Sequence, residues 1–301
     1  MNRTIIWLGF LLIAQLVLTL LVYRPPQIMT RGLEGAPLVR FNSARITEIT
    51  VDDDRDQEAV IRLEQGRWVL PELSGLPADA GMVNALIGAI TATDHGWPVA
   101  KSVPARQRFQ VAAYHYRRRI TLIGSDELLG TVYLGTSPGF RQVHARNDSG
   151  EAIYSINLNA YDAPGLDGEW IDRDLLQSGN PKQLELDDVM LSKIDNQWLT
   201  QNGEAPDDRE LQALLLALSS LQIEGVADED DQRSLAEASP ERRIEIATDD
   251  DSHSLELFSL NGRYAVYDSR YPLFFAISDY NYQRLLGIDT ALIAGNDPTG
   301  E

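Results

Sequence analysis

The residues of this chain best suited to holding a cation lie in three acidic runs: Asp52-Asp53-Asp54 with Asp56, Asp228-Glu229-Asp230-Asp231, and Asp249-Asp250-Asp251. A calcium loop needs oxygen ligands at alternating positions, a glycine at the turn and a closing bidentate carboxylate. None of the runs has that grammar, and each falls between expected elements, where solvated turn carboxylates belong. The histidines are His95, His115, His144 and His253. No pair has H-x-x-x-H spacing, and a chain without cysteine has no thiolate to complete a zinc set. His115 lies in Ala113-Tyr114-His115-Tyr116-Arg117, where strand alternation puts it on a sheet face. No serine occupies a G-x-S-x-G elbow. Gly135-Thr136-Ser137-Pro138-Gly139 has the outer glycines, but proline follows the serine directly and no helical pattern comes next, so it reads as a loop. Phosphate-loop and dinucleotide fingerprints are absent. The expectation is therefore no catalytic residue, no metal and no cofactor.

One basic cluster stands out in the first half, Arg117-Arg118-Arg119. On a strand Arg117 and Arg119 share one face and Arg118 takes the other. Such a cluster either protects a sheet face or edge by charge or forms a docking patch for an acidic partner or a lipid headgroup. These three arginines are the candidate partner-docking residues. The chain as a whole carries 26 Lys and Arg against 45 Asp and Glu, net −19, which argues against wrapping nucleic acid. Residues 1–178 hold 17 basic and 20 acidic side chains, whereas 179–301 hold 9 and 25, so nearly all the excess acid sits in the second half. That field repels anionic surfaces and keeps this half soluble. With 44% hydrophobic and 24% charged residues, a mostly disordered chain is excluded. The lack of cysteine removes disulfides and thiol chemistry and fits either an oxidising or a reducing compartment.

The elements that would position these groups begin with the twenty residues Thr4 to Tyr23, which carry no charge. As a helix they measure ~30 Å, the thickness of a hydrocarbon core. Trp7 and Tyr23 fall near the two ends, where aromatic side chains favour the interface. The run leaves through Tyr23-Arg24-Pro25-Pro26, with no small-x-small site, so an uncleaved single-pass anchor is expected rather than a signal peptide. Arg3 and the α-amino group favour a cytoplasmic amino end, while Arg24, Arg31 and Arg40 weigh the other way. The short tail before the span makes a signal-anchor in the cytoplasmic (inner) membrane, with the large carboxyl-terminal part extracytoplasmic.

The remainder reads as one unit written twice. Val83, Leu86, Ile87 and Ile90 form an i, i+3, i+4, i+7 stripe, and Leu211, Leu214, Leu215 and Leu218 repeat it 128 residues later. Asp79 and Asp207, at the same offset, stand where an N-cap carboxylate belongs. Before each helix a strand carries tryptophan (Trp68, Trp198), expected in the core, and after each helix a strand opens on two arginines (Arg118-Arg119, Arg242-Arg243). Farther on, Ile153 to Ile156 answers Phe274 to Ile277, and Tyr161 answers Tyr282. Short polar turns, such as Gly124 to Glu127 and Thr248 to Ser252, imply antiparallel pairing. The expected fold class is α+β: an N-terminal transmembrane helix, then two tandem repeats, each an antiparallel sheet with a covering helix. The expected divisions are 1–24 (anchor and short tail), 25–45 (membrane-proximal spacer), 46–178 (first repeat), 179–293 (second repeat) and 294–301 (flexible tail).

Gly66-Arg67-Trp68-Val69-Leu70, Pro77-Ala78-Asp79, the helix Val83 to Ile90, Pro98-Val99-Ala100, Arg119 to Leu122 and Tyr133-Leu134-Gly135 together resemble the family catalogued as domain of unknown function 4340. The resemblance runs over most of Ile46 to Leu176 and more weakly over the second repeat. Members are membrane-anchored proteins often encoded beside ABC-type transporters of the gliding-motility kind. The resemblance thus implies a non-enzymatic, extracytoplasmic accessory or scaffold subunit of a membrane complex, with an ABC permease as partner, and supplies no catalytic residues. The competing reading is an envelope ligand-binding module that uses the groove between the repeats.

Because Thr4 to Tyr23 is uncharged and long enough to span, the protein is expected to remain in the membrane fraction after carbonate washing, with the segment retained at its mature amino terminus. Sequencing of that terminus is the check. A soluble product beginning after Tyr23 would mean cleavage instead.

Overall fold

The computed structural model describes residues 37–125 and 127–295, together with Trp7, Leu12 and Gln15, which are helical. Most of the expected anchor and spacer, and the end of the tail, lie outside the described residues. Among the described residues no helix is long and apolar enough to cross a membrane.

The first repeat contains β1 (Glu48–Asp53), β2 (Glu58–Glu64), β3 (Arg67–Leu70) and β4 (Leu76–Pro77), then helix α1 (Ala80–Thr91) and the short α2 (Val103–Arg108). A small hairpin follows, β5 (Val111–Ala112) with β6 (His115–Tyr116), before β7 (Arg118–Gly124), β8 (Glu127–Leu134), β9 (Val143–Asn147) and β10 (Tyr154–Ile156). The second repeat contains β11 (Gln183–Leu186), β12 (Val189–Ile194), β13 (Gln197–Thr200), α3 (Asp208–Ser219), β14 (Ile223–Val226) and α4 (Glu229–Ala236). It continues with β15 (Arg242–Ala247), β16 (Ser252–Leu260), β17 (Arg263–Asp268) and β18 (Phe274–Ile277), and closes with α5 (Asp279–Leu286) and α6 (Thr290–Ile293).

Two eight-stranded antiparallel sheets result, ordered β4-β3-β2-β1-β7-β8-β9-β10 and β13-β12-β11-β15-β16-β17-β18-β14. Seven strands of each follow the same path, so the duplication read from spacing is a duplication of topology. The eighth strand differs. In the second repeat β14 pairs with β18 as a strand. Its counterpart in the first repeat has shrunk to one bridge, Ala100 to Ile153, closed by Val99 N to Ile153 O at 2.7 Å and Ile153 N to Ala100 O at 2.8 Å.

The helices start where expected. Asp79 Oδ1 accepts from the amides of Gly81 and Met82 at 2.7 and 3.0 Å, and Asp207 Oδ1 from Arg209 and Glu210 at 2.9 and 3.0 Å. Each cap satisfies two orphan donors, a contribution of about 1 kcal/mol. Val83, Leu86 and Ile90 are buried, as are Leu211, Leu214 and Leu218, whereas Ile87 and Leu215 sit at the edge of the stripe and are half-buried. Under α1 lie Ile49, Val51, Ile61, Ile120, Leu122, Val132 and Leu134, the inward set of the central strands. Each such side chain stabilises by about 1.5–3 kcal/mol relative to exposure.

Trp68 and Trp198 depart from expectation. They occupy equivalent register positions, opposite Leu63 and Lys193, but both are half-buried and pack against the margin of the core. They lie on the third strand of each repeat, next to a sheet edge in the first and at the edge in the second. The fully buried tryptophan is Trp170, whose Nε1 donates to Pro164 O at 2.8 Å. It belongs to a 3₁₀ turn, Asp167–Trp170, in a connecting segment that joins the repeats. Trp170 O accepts from Asp79 N, and Ile171 bridges Ala78, on the first side. Arg173 O accepts from Ile223 N, and Ser178 N donates to Leu218 O, on the second. A single apolar cluster consequently runs through both repeats.

Gly135 is a position where only hydrogen fits. A Cβ there would stand 1.9 Å from Phe109 O and 2.5 Å from Gln110 O. The close approach lets Thr136 N donate to Phe109 O at 2.9 Å and docks the segment after α2 onto the end of β8. Replacing Gly135 with Ala is expected to lower unfolding free energy by about 3 kcal/mol, because backbone rather than a side-chain tip must move. Gly139→Ala, with nothing within 4 Å of its Cβ, should stay within about 0.5 kcal/mol. Denaturant unfolding of the two variants measures the difference.

Candidate docking site

The three arginines expected to form a patch are placed by β7 and the residue before it, and they do not project together. Arg119 stands opposite Asp52 in the β1–β7 register and meets it with two hydrogen bonds, Nε to Oδ2 at 2.9 Å and Nη2 to Oδ1 at 2.6 Å. That hydrogen bond, with the carboxylate charge behind it, raises the Arg119 pKa. Arg118 turns to the other face and is largely buried. Its Nε donates to Ala163 O at 2.7 Å and its Nη1 to Arg117 O at 2.8 Å, with Asp54 3.9 Å away. Arg117 Nε donates to Gln110 Oε1 at 2.9 Å.

The second repeat explains the pattern. Arg242, the counterpart of Arg118, sends Nη1 to the carbonyls of Leu285, Leu286 and Ile288 at 3.0, 2.8 and 2.9 Å. Arg118 likewise holds Ala163, the residue closing the 3₁₀ turn Ala160–Asp162. In both repeats the first arginine therefore binds free carbonyls at the end of the closing helix. The second arginine pairs across the strands, Arg119 with Asp52 and Arg243 with Glu256 at 3.3 Å. The tandem arginines thus serve mainly to lock each repeat shut.

An open cleft of ≈ 550 Å³ lies beside them, lined among others by Asp53, Arg55, Arg117, Tyr161, Leu166 and Glu169. Tyr161 is 73% exposed, while its counterpart Tyr282 is buried at 1%. Burial pushes the Tyr282 hydroxyl well above the ordinary tyrosine range. A second cleft of ≈ 620 Å³ involves Leu38, Arg40, Phe41, Lys101 and Tyr154. The first cleft lies within the first repeat, and the second lies between that repeat and the residues just before it. They mix charges of both signs with a few apolar side chains.

The acidic runs are more structural than their composition suggests. Asp52 and Asp53 belong to β1 and are buried, a correction to the expectation of a wholly solvated loop. Asp53 Oδ1 accepts from Arg55 N and Gln57 N at 2.7 and 3.0 Å and shapes the turn into β2. Asp228 caps α4 through Asp231 N at 2.8 Å, and Arg263 bridges Asp228 and Asp231 at 3.1 and 2.5 Å. Asp249 to Asp251 form the exposed β15–β16 turn. Among the described residues no group of three or more His, Asp or Glu is arranged to hold a metal ion.

One constellation has catalytic types in it. Ser178 Oγ lies 3.2 Å from His253 Nε2, and Asp251 Oδ2 lies 3.5 Å from His253 Nδ1. The sequence offered no sign of it, because the members are 75 residues apart and no motif surrounds Ser178. It lacks what an acyl-transfer site requires. Ser178 and His253 are 5% and 4% exposed, and His253 Nδ1 makes no hydrogen bond that would orient the ring. The pair instead seals the junction between the connecting segment and β16. Its neighbour Asp268 is fully buried and is held by Arg270 through Nη2 to Oδ2 at 2.6 Å. Burial and the Arg270 charge lower the His253 pKa. His144, hydrogen-bonded through Nδ1 near Thr136, is lowered by burial and by Arg108.

This arrangement defines an α+β duplicated-sheet protein with open clefts on its first repeat. The family model that matches the chain is described as Domain of unknown function (DUF4340), and it matches residues 68–240. The chain belongs to that family. The match begins at Trp68 and crosses the connecting segment into the second repeat, farther than the residues that first carried the resemblance. No curated protein and no solved structure matches.

Both buried histidines are held neutral in the folded state, with pKa values below the usual ~6.5. Their contribution is therefore fully present above about pH 6.5 and is lost as pH falls below it, because the unfolded chain takes up the protons. His253→Gln should remove up to about 1.4 kcal/mol per pH unit from the acid-side slope of stability. Urea unfolding of wild type and variant between pH 7.5 and pH 5 reads that difference, which cancels the background from other carboxylates.

Proposed function

We propose that the protein is a non-enzymatic, membrane-anchored, extracytoplasmic accessory or scaffold subunit of a membrane complex of the ABC-exporter kind. The observation that carries the reading is the open, mixed-charge cleft beside Arg55, Arg117 and Tyr161 on the first repeat. It offers side chains of the kind that anchor protein interfaces, the exposed Tyr161 and Arg55 beside the half-buried Arg117. The other charged groups that sequence types single out are engaged in holding turns, helix ends and strand pairs, which suits a rigid adaptor. The uncharged segment Thr4 to Tyr23 supports membrane attachment, and the second repeat, with 9 basic and 25 acidic residues, supports solubility away from the anionic surface. An envelope ligand-binding module remains the alternative reading; neither of the two principal clefts lies between the repeats.

Purification of the full chain from native membranes under mild detergent tests this reading. ABC permease and ATPase subunits should be recovered with it in stoichiometric amounts. The double variant Arg55→Glu, Arg117→Glu should lower that recovery about tenfold, the scale expected when interface charges are reversed. Its melting temperature should stay near wild type, since neither side chain makes an ion pair among the described residues. Recovery of the protein alone would overturn the function, and undiminished recovery with the folded variant would overturn the cleft.

A further inference from the structure

From His95 to Ser125 the chain carries Lys101, Arg106, Arg108, Arg117, Arg118 and Arg119 and no acidic residue, within a protein of net charge −19. Arg118 and Arg119 are engaged internally, but Lys101, Arg106 and Arg108 make no ion pair among the described residues. Arg108 lies over the Phe109 ring at 4.5 Å, and Arg141 lies over the Phe140 ring at 6.0 Å. Arg106 Nε is shut off from solvent yet finds no acceptor among the described residues. Its charge adds to burial in lowering the pKa of Arg146. Arg146 itself is buried and is held by the carbonyls of Val111, Asn147, Asp148 and Gly150, with the Asp148 carboxylate 3.8 Å away, which leaves Lys101, Arg106 and Arg108 as the cations without an ion pair among the described residues.

The apolar side chains around these cations are unusually open. Trp97 is 73% exposed, Tyr114 77% and Phe140 93%, with Val103 on α2 also exposed. In the second repeat the only comparably exposed aromatic among the described residues is Tyr280. The segments that carry them are packed together. Phe109 O accepts from Thr136 N, which brings the Phe140 loop beside α2, and the Phe109 ring lies 4.2 Å from His144. The chain also enters the fold here: Asn147 Nδ2 donates to Leu38 O at 2.9 Å, and Arg40 and Phe41 line the same cleft as Lys101.

We propose that this basic, aromatic face of the first repeat binds the anionic phospholipid headgroups of the bilayer in which the chain is anchored. Lys101, Arg106, Arg108 and Arg141 take the phosphates, and Trp97 and Phe140 enter the interfacial layer. Clustered cations supply the attraction to an anionic surface, and amphipathic rings favour the headgroup level over either water or hydrocarbon. An acidic protein groove would need a matching apolar ridge. Here the aromatic side chains stand singly on short segments, which suits a fluid surface better. Arg40 and Phe41, among the first described residues of the fold, line the same cleft as Lys101. The second repeat, rich in acid, is then held off the membrane by the same field. The inference rests on the membrane-anchored reading above.

The test places the full chain in nanodiscs of pure phosphatidylcholine or of phosphatidylcholine with about one quarter phosphatidylglycerol. Incorporation itself, read by co-elution with lipid, reports the anchor separately. Hydrogen exchange of residues 97–110 and 136–142 should slow about fivefold or more in the anionic discs only, and revert at high salt. The triple variant Lys101→Glu, Arg106→Glu, Arg108→Glu should lose the protection. The pair Trp97→Ser, Phe140→Ser, which alters exposed side chains alone, should lose part of it even if the triple variant folds poorly. Equal exchange in both disc types would overturn the proposal. So would protection that appears without anionic lipid as protein concentration rises, which assigns the face to the acidic second repeat of another copy.

Discussion

The segment joining the two repeats is the constraint on which the rest of the structure depends. Each sheet is covered by a helix, yet each leaves a flank that must be closed. Trp170, wholly buried, fills that place, and its neighbours give backbone hydrogen bonds to both sides. Asp79 is tied through its amide to Trp170 and through its carboxylate to the start of α1. The helix, the connecting segment and the second sheet are thereby fixed relative to one another. Truncating the tryptophan side chain would leave a large void and take from the Pro164 carbonyl the Nε1 donor it accepts from, and both are costly.

Duplication explains why charged residues that suggest function prove to be structural. The tandem arginine at the head of β7 recurs at the head of β15 because each repeat faces the same problem, a closing helix whose last carbonyls lack donors. One buried guanidinium answers it, binding one carbonyl in the first repeat and three in the second. The second arginine then balances a carboxylate on the neighbouring strand. Sites that occur in both repeats are accordingly poor candidates for a specific task. Features that occur in only one are better ones.

The repeats differ in what they leave exposed. The first has reduced the counterpart of β14 to a bridge and carries the hairpin β5–β6, with aromatic side chains turned outward. The second keeps the strand and buries the equivalent tyrosine, Tyr282, which stacks on Tyr264 at 4.4 Å. Charge divides in the same direction, with nearly all the excess acid in the second repeat. Under the proposed reading, such a division would give the body a defined orientation beside a membrane.

How much of this was legible beforehand follows from which interactions are local. Helix stripes, N-cap aspartates and strand order are written within a few residues of each other, so periodicity and spacing gave α1, α3 and the doubled topology. The turn of Gly135 was visible as a motif, though not its reason, because the carbonyls it avoids belong to residues 109 and 110. Composition showed that acid gathers in the second half, but not that Asp52 and Asp53 are buried in a strand. Trp68 and Trp198 were expected to lie deep because tryptophan beside an apolar strand usually does; their place near a sheet edge, and the deep place of Trp170, depend on how the layers stack. The internal contacts of Arg118 and Arg119 follow the same rule. Strand alternation told which face each side chain took, but only the tertiary structure brought Asp52, Asp54 and the Ala163 carbonyl within reach of them.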